Sequence, residues 1–140
     1  MTGFVYSSAL QSAVLGHLEG DLELAGMARI YDAPPVLSAA DVEADYVTLG
    51  EEAVKPLTRP EDGLIAHDID VVVHSPAHGF SRAKAVAERI DALLLSGALT
   101  VSGVRVVDIR FVKAKADRGA GVDRRRVRMT YRVVLEPALT

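Results

Sequence analysis

Hydrophobic and polar positions alternate most regularly in two places. In Ile65 to Ser75, Ile69, Val71 and Val73 share the parity of Ile65, while Asp68 and Asp70 take the other, the period-two signature of a half-buried strand. Near the C-terminus, Val127, Met129, Tyr131, Val133 and Leu135 fall on one face and Arg126, Arg128, Thr130 and Arg132 on the other. That pattern predicts a closing strand that is apolar on one side and strongly basic on the other. A further strand, Tyr46 to Glu52, precedes the first. Between them, Lys55-Pro56 and Arg59-Pro60-Glu61-Asp62-Gly63 supply prolines that cannot donate to a ladder and a turn ending in glycine. Tyr46 to Ser75 is therefore a predicted hairpin with a long tip.

Three- and four-residue spacing takes over elsewhere. Tyr6, Leu10, Ala13, Val14 and Leu18 predict a helix over residues 4–19, ended by Gly20 and Asp21. Ala85, Val86, Ile90, Leu93 and Leu94 predict a second helix with Ser81 as its N-cap and Gly97 as its terminator, leaving Arg82, Lys84, Glu88 and Arg89 towards solvent. A short strand around Ala28 to Tyr31 leads into Asp32-Ala33-Pro34-Pro35 and a loop reaching Asp45. Val104 to Ala116 reads as a strand whose core parity runs through Val107, Ile109 and Phe111 but is shifted at Val104 and Val106, which predicts a bulge there. Asp117 to Arg125 forms its Gly-rich tip. The order α-β-β-β-α-β-β predicts an α+β fold, a mainly antiparallel sheet of about five strands with two helices packed on one face, forming one domain over residues 1–140.

Composition narrows the function classes. A 140-residue chain can bury a core without metal or disulfide, and with no cysteine it has no thiolate ligand or nucleophile. No apolar run approaches the roughly 18 residues of a membrane span, and the N-terminus lacks the pattern of a signal peptide, so a cytoplasmic protein is expected. The net charge of −3 conceals an asymmetry: residues 1–80 carry 13 acidic against three basic side chains, and residues 81–140 carry six against 13. Either the halves interleave in one fold, or an acidic face of one copy meets a basic face of the next.

Candidate catalytic chemistry is sparse. His67, Asp68, Asp70, His74 and His78 are of metal-binding types, but strand parity sends His67 and His74 to opposite faces, and Pro76 prevents His74 and His78 from sharing a helical turn. No metal, cofactor or catalytic residue is expected. Serines lie at caps and turns without a nucleophile elbow. Gly119 and Gly121 join two strands and lack the following lysine and helix of a phosphate loop. His17 belongs to the end of a helix, where the dipole favours it. The run Arg124, Arg125, Arg126 and Arg128, with Arg132, Lys113 and Lys115, has the charge of a nucleic-acid footprint but little aromatic support.

Taken in order, the N-terminal helix, Arg29-Ile30-Tyr31-Asp32 with Pro34-Pro35, the strand Tyr46-Val47-Thr48-Leu49-Gly50-Glu51, the His74-Ser75 turn into Ala85 to Leu94, Val107 to Phe111 and Tyr131 to Pro137 resemble the bacteriophage tail terminator, or tail-completion, proteins of siphophages, prophages and gene transfer agents. The resemblance spans nearly the whole chain. It implies a non-enzymatic structural protein that assembles with itself as a ring, commonly a hexamer, at the head-proximal end of a long non-contractile tail. The ring ends tube polymerisation and joins tail to head, contacting the tail tube protein and a connector or stopper protein, with DNA only in transit and no membrane partner. The expected location is the bacterial cytoplasm during assembly, then the particle. On that reading the tips place Lys55, Arg59, Glu61 and Asp62, and Arg118, Asp123, Arg124 and Arg125, against tube or connector subunits, while Arg126, Arg128 and Arg132 meet acidic groups of an adjacent copy. The alternative is a small nucleic-acid-binding module that uses the basic C-terminal strand.

Overall fold

The computed structural model describes residues 6–32, 44–57, 63–76, 79–118 and 125–137. These form helices α1 (Ser7–Glu19), α2 (Leu22–Ala25) and α3 (Ser81–Leu94), and strands β1 (Arg29–Tyr31), β2 (Tyr46–Pro56), β3 (Ile65–Ser75), β4 (Val104–Arg118) and β5 (Arg125–Pro137). The strands make one sheet in the order β1-β2-β3-β5-β4. β1 runs parallel to β2, and every other neighbour is antiparallel. The expected α+β architecture with a mainly antiparallel sheet is present, the β1–β2 pair being its one parallel contact among the described residues.

The helices lie on the face marked by the odd positions of β3 and β5. Leu10, Val14 and Leu18 of α1 and Val86, Ile90 and Leu94 of α3 pack with Val71, Val73, Val127, Met129, Tyr131, Val133 and Leu135. Each fully buried large apolar side chain contributes roughly 1.5–3 kcal/mol relative to exposure, so the two helical stripes hold the layers together. Tyr131 adds a polar tie: its hydroxyl donates to Asp91 Oδ1 of α3 at 2.6 Å. Burial raises the pKa of this phenol far above its ordinary range, and the Asp91 bond adds to that.

Several local expectations change. Ser81 is the first helical residue of α3, not its cap; Phe80 holds the cap position and no side chain caps there. The predicted end of α1 at Gly20 and Asp21 is joined by the short helix α2, which Asp21 initiates by accepting from Leu24 N–H at 2.9 Å. The start of the predicted first helix at residues 4 and 5, and the loop after Asp32 through residue 43, lie outside the described residues. Lys55 and Pro56, expected in the loop, complete β2. Proline is tolerated there because it ends the strand, where β1 no longer pairs with β2. Likewise Asp117, Arg118 and Arg125 belong to strands, with Arg118 opposite Arg125 in the last rung.

Bulges explain the remaining differences. β2 shifts register between Leu49 and Glu52, and at Gly50 an added Cβ would come within 3.1 Å of Asp70 Cβ. The expected bulge in β4 falls between Val106 and Asp108, and a second falls between Phe111 and Lys113. Val104, Val106 and Ile109 therefore reach the core, whereas Val107 is 39% exposed. Phe111 does lie on the helix side, its ring edge-on to Tyr131 at 5.9 Å. It is nonetheless 48% exposed, because β4 is the edge strand and the helices pack over its neighbours.

Candidate functional site

The sheet face opposite the helices is where the two oppositely charged halves of the chain meet. β3 contributes Asp68 and Asp70 and β5 contributes Arg128, Thr130 and Arg132, brought together by a register that sets Asp68 against Arg132 and Asp70 against Thr130. Arg132 donates from Nε and Nη2 to the two oxygens of Asp68, at 2.8 and 3.0 Å. Arg128 Nη1 donates to Asp70 Oδ2 at 3.3 Å, and Thr130 Oγ1 donates to Asp70 Oδ1 at 2.7 Å. Across the other ladder, Arg126 donates to both oxygens of Asp117, at 3.0 and 3.4 Å. The Arg132 bonds hold the Asp68 carboxyl below the usual carboxylate range, and those of Arg126 do the same for Asp117. Interleaving, not segregation, is how this part of the sheet resolves the charge asymmetry.

These pairs change what the basic strand offers. Arg126, Arg128 and Arg132, expected to face acidic groups of another copy, each have a carboxylate partner within the chain. A stripe of cations already neutralised by its neighbours releases fewer counterions from a phosphate backbone, so the nucleic-acid alternative gains no support from this geometry.

The hairpin ends are arranged differently. Pro56 opposite Ile65 closes the β2–β3 ladder, extended by a Leu57 N–H bond to the Leu64 carbonyl at 2.9 Å, and Gly63 follows the tip with φ of +73°. Arg118 opposite Arg125 closes the β4–β5 ladder. Because β3 pairs Ile65 with Leu135 and Ser75 with Arg125, these two ends lie at opposite ends of the sheet, roughly 33 Å apart at a strand rise of about 3.3 Å per residue. Lys55 marks one end. Arg118 and Arg125 mark the other, with the Arg125 guanidinium 5.6 Å from the Phe80 ring centroid. Arg59, Glu61, Asp62, Asp123 and Arg124 lie outside the described residues.

The histidines separate as strand parity expects. His67 is fully buried on the helix side, where Nδ1 meets Glu52 Oε2 at 3.2 Å, and Ser7 Oγ donates to the other oxygen of Glu52. His74 lies on the opposite face, stacked on Tyr46 at 4.5 Å and 3.1 Å from Thr48 Oγ1. His78 is outside the described residues, and among those described no three His, Asp or Glu side chains converge as a metal site would require. His17 Nε2 donates to the Leu93 carbonyl at 2.8 Å, fastening α1 to α3.

Two structural ties were not visible in the sequence. Buried Asp45 accepts from Ser75 Oγ at 2.7 Å and from Arg82 at 2.8 and 3.2 Å, joining the start of β2 to the start of α3. Asp21 accepts from Arg89 at 2.6 and 2.9 Å, and these bonds, with that from Leu24 N–H, hold its carboxyl down at about 2. Both pair a residue before the central hairpin with one after it, so no local spacing signals them. No helix among the described residues is long and apolar enough to cross a membrane.

Comparison with known proteins bears on this arrangement. A family model described as "Tail completion protein gp17" matches residues 12–136. Among solved structures, a chain from the virion of a native gene transfer agent particle is 33% identical, covering 95% of this chain and 98% of that one with a TM-score of 0.84. The gp17 protein of bacteriophage SPP1 is 21% identical over 91% of this chain and 88% of its own, with a TM-score of 0.56, a likeness of fold. No curated protein sequence matches the chain.

Proposed function

The chain belongs to the Tail completion protein gp17 family, and on that premise we propose that its copies form a ring, commonly a hexamer, at the head-proximal end of a long non-contractile tail. There the ring ends tube polymerisation and joins tail to head. The observation that carries this reading is the match over residues 12–136 together with the near full-length relative in a gene transfer agent virion. The family is one of structural virion tail proteins, and the reading assigns the whole chain, residues 1–140, to one tail-completion domain. Assembly takes place in the bacterial cytoplasm, and the finished ring stays in the particle with DNA passing through it.

The opposed hairpin ends support a joint with two sides. The β2–β3 end, with Lys55 and the sequence neighbours Arg59, Glu61 and Asp62, contacts one partner. The β4–β5 end, with Arg118, Asp123, Arg124 and Arg125, contacts the other, one being the tail tube protein and the other a connector or stopper. Arg126, Arg128 and Arg132 serve the subunit contact by keeping this face of β5 rigid on the aspartates of β3 and β4, and add direct contacts only at their rims.

The reading is tested in cells that produce the particle but lack this chain. Tails of irregular length that are not attached to heads are expected, and reintroducing the chain should restore joined particles. Joined particles of normal tail length without it would overturn the proposal.

A further inference from the structure

The sheet face opposite the helices is laid out in columns of charge. β3 supplies Asp68 and Asp70, β5 supplies Arg126, Arg128 and Arg132, and β4, in register beside β5, supplies Asp108, Arg110, Lys113, Lys115 and Asp117. Two rungs set like charges against each other: Arg110 is opposite Arg132, and Lys115 is opposite Arg128. Such pairs repel across a ladder and cost stability unless counter-charge lies close. With six cations against four acids this stretch is net positive, although the chain as a whole is −3. Along β5, Arg126 and Arg128 stand about 6.8 Å apart and Arg132 about 13.6 Å further on, at a rise of roughly 3.4 Å per residue. A row of guanidinium groups with a second row of cations beside it suits a phosphate backbone.

The chain's own carboxylates stand where phosphates would. Besides the bonds from Arg132 to Asp68, Arg128 to Asp70 and Arg126 to Asp117, Arg110 Nε donates to Asp108 Oδ2 at 3.1 Å. All four arginines of the two rows thus hold an aspartate. We propose that these aspartates are built-in substitutes for phosphate: they mask a polyanion-binding face, so that free subunits are not captured by nucleic acid before they assemble. This rests on the reading above, in which subunits gather in the cytoplasm and this face of β5 serves the subunit contact. A carboxylate satisfies a guanidinium in the same forked geometry as a phosphate, and one already held on the next strand loses no translational freedom in doing so. An incoming phosphate must displace it and releases few counterions in exchange. Asp68 and Asp70 come from the acidic half of the chain and the arginines from the basic half, so folding itself puts this part of the mask in place.

The test compares free chains of equal charge. Asp68→Asn with Asp70→Asn unmasks Arg132 and Arg128 and keeps side-chain shape, while Glu19→Gln with Glu88→Gln removes the same charge from exposed positions on α1 and α3. Both changes take the net charge from −3 to −1. At low salt the first variant should bind duplex DNA of arbitrary sequence at least about tenfold more tightly than the second, with a slope of log affinity on log salt steeper by about 1.8, two phosphate contacts at about 0.9 each. Adding Arg128→Gln and Arg132→Gln should abolish the gain. Asp117→Asn releases Arg126 on the other ladder and gives an independent reading, about 0.9 in slope, should the double variant fail to fold. Equal affinity and slope for the two charge-matched chains would overturn the mask. In an extract of particle-producing cells lacking this chain, duplex DNA added beforehand should block tail joining by the unmasked variant and leave joining by the parent chain intact. If DNA binds the variant yet leaves its tail joining undisturbed, shielding before assembly is not the role, and the proposal fails while the ring reading stands. A parent chain that joins no tails in the same extract would overturn the ring reading instead, and the mask is then judged by the binding comparison alone.

Discussion

Asp68 and Arg132 sit opposite each other on β3 and β5 and share two hydrogen bonds of 2.8 and 3.0 Å. One residue comes from the acidic half of the chain and the other from the basic half. Each side chain keeps a quarter of its surface exposed, which places the pair between a solvent-screened surface bridge and a desolvated one. A double-mutant cycle with Asp68→Asn and Arg132→Gln should give a coupling of about 0.5–1.5 kcal/mol in urea unfolding. Strict additivity of the two substitutions would show that the bidentate geometry contributes no net stability.

The Tyr131 hydroxyl is a separate tie between the layers. Tyr131→Phe keeps the ring in the core and removes the hydroxyl, with its bond to the partly solvated Asp91 and its weaker 3.5 Å contact with Met129 Sδ. A loss of about 1–2 kcal/mol is expected, seen as a melting temperature lower by roughly 3–8 °C. An unchanged melting temperature would mean that water replaces the hydroxyl at no cost.

Acid should destabilise the fold through Asp21, Asp68 and Asp117, whose carboxyls are all held low by arginine. A carboxylate with a depressed folded value stabilises the native state above its unfolded value. That contribution fades as pH falls from the ordinary value of 3.8 towards the folded one, which for Asp21 is about 2. Asp21→Asn retains a competent cap for α2 but no charge for Arg89. Its melting temperature should therefore fall less between about pH 5 and pH 2 than that of the parent chain. Parallel acid profiles would remove Asp21 from the explanation.

The two sheet ends should be separable in assembly. Lys55→Glu alters the β2–β3 end and Arg118→Glu the β4–β5 end, both on exposed side chains. Electron microscopy of particles made with each variant should show different defects, one in tail-length control and the other in head attachment. The same defect from both would argue that the ends act on a single partner.

Much of this architecture is written in local pattern. Strand parity in Ile65 to Ser75 and Val127 to Leu135 marks the core face, because side chains on a strand must alternate. The helical stripes of α1 and α3 follow equally from spacing, and the family resemblance rests on their order. The irregular parity around Val106 announced the first β4 bulge. What no window of residues contains is which strand lies beside which. Pairing β3 with β5 brings Asp68 to Arg132 and Asp70 to Thr130, and this converts a stripe of arginines into a set of internal ion pairs. Placing β4 at the edge leaves Phe111 half uncovered although its parity is that of a core residue. The ties from Asp45 to Arg82 and from Asp21 to Arg89 arise the same way. Periodicity determines which face of an element is apolar; the packing of distant elements alone decides which apolar faces are covered and which charges find a partner.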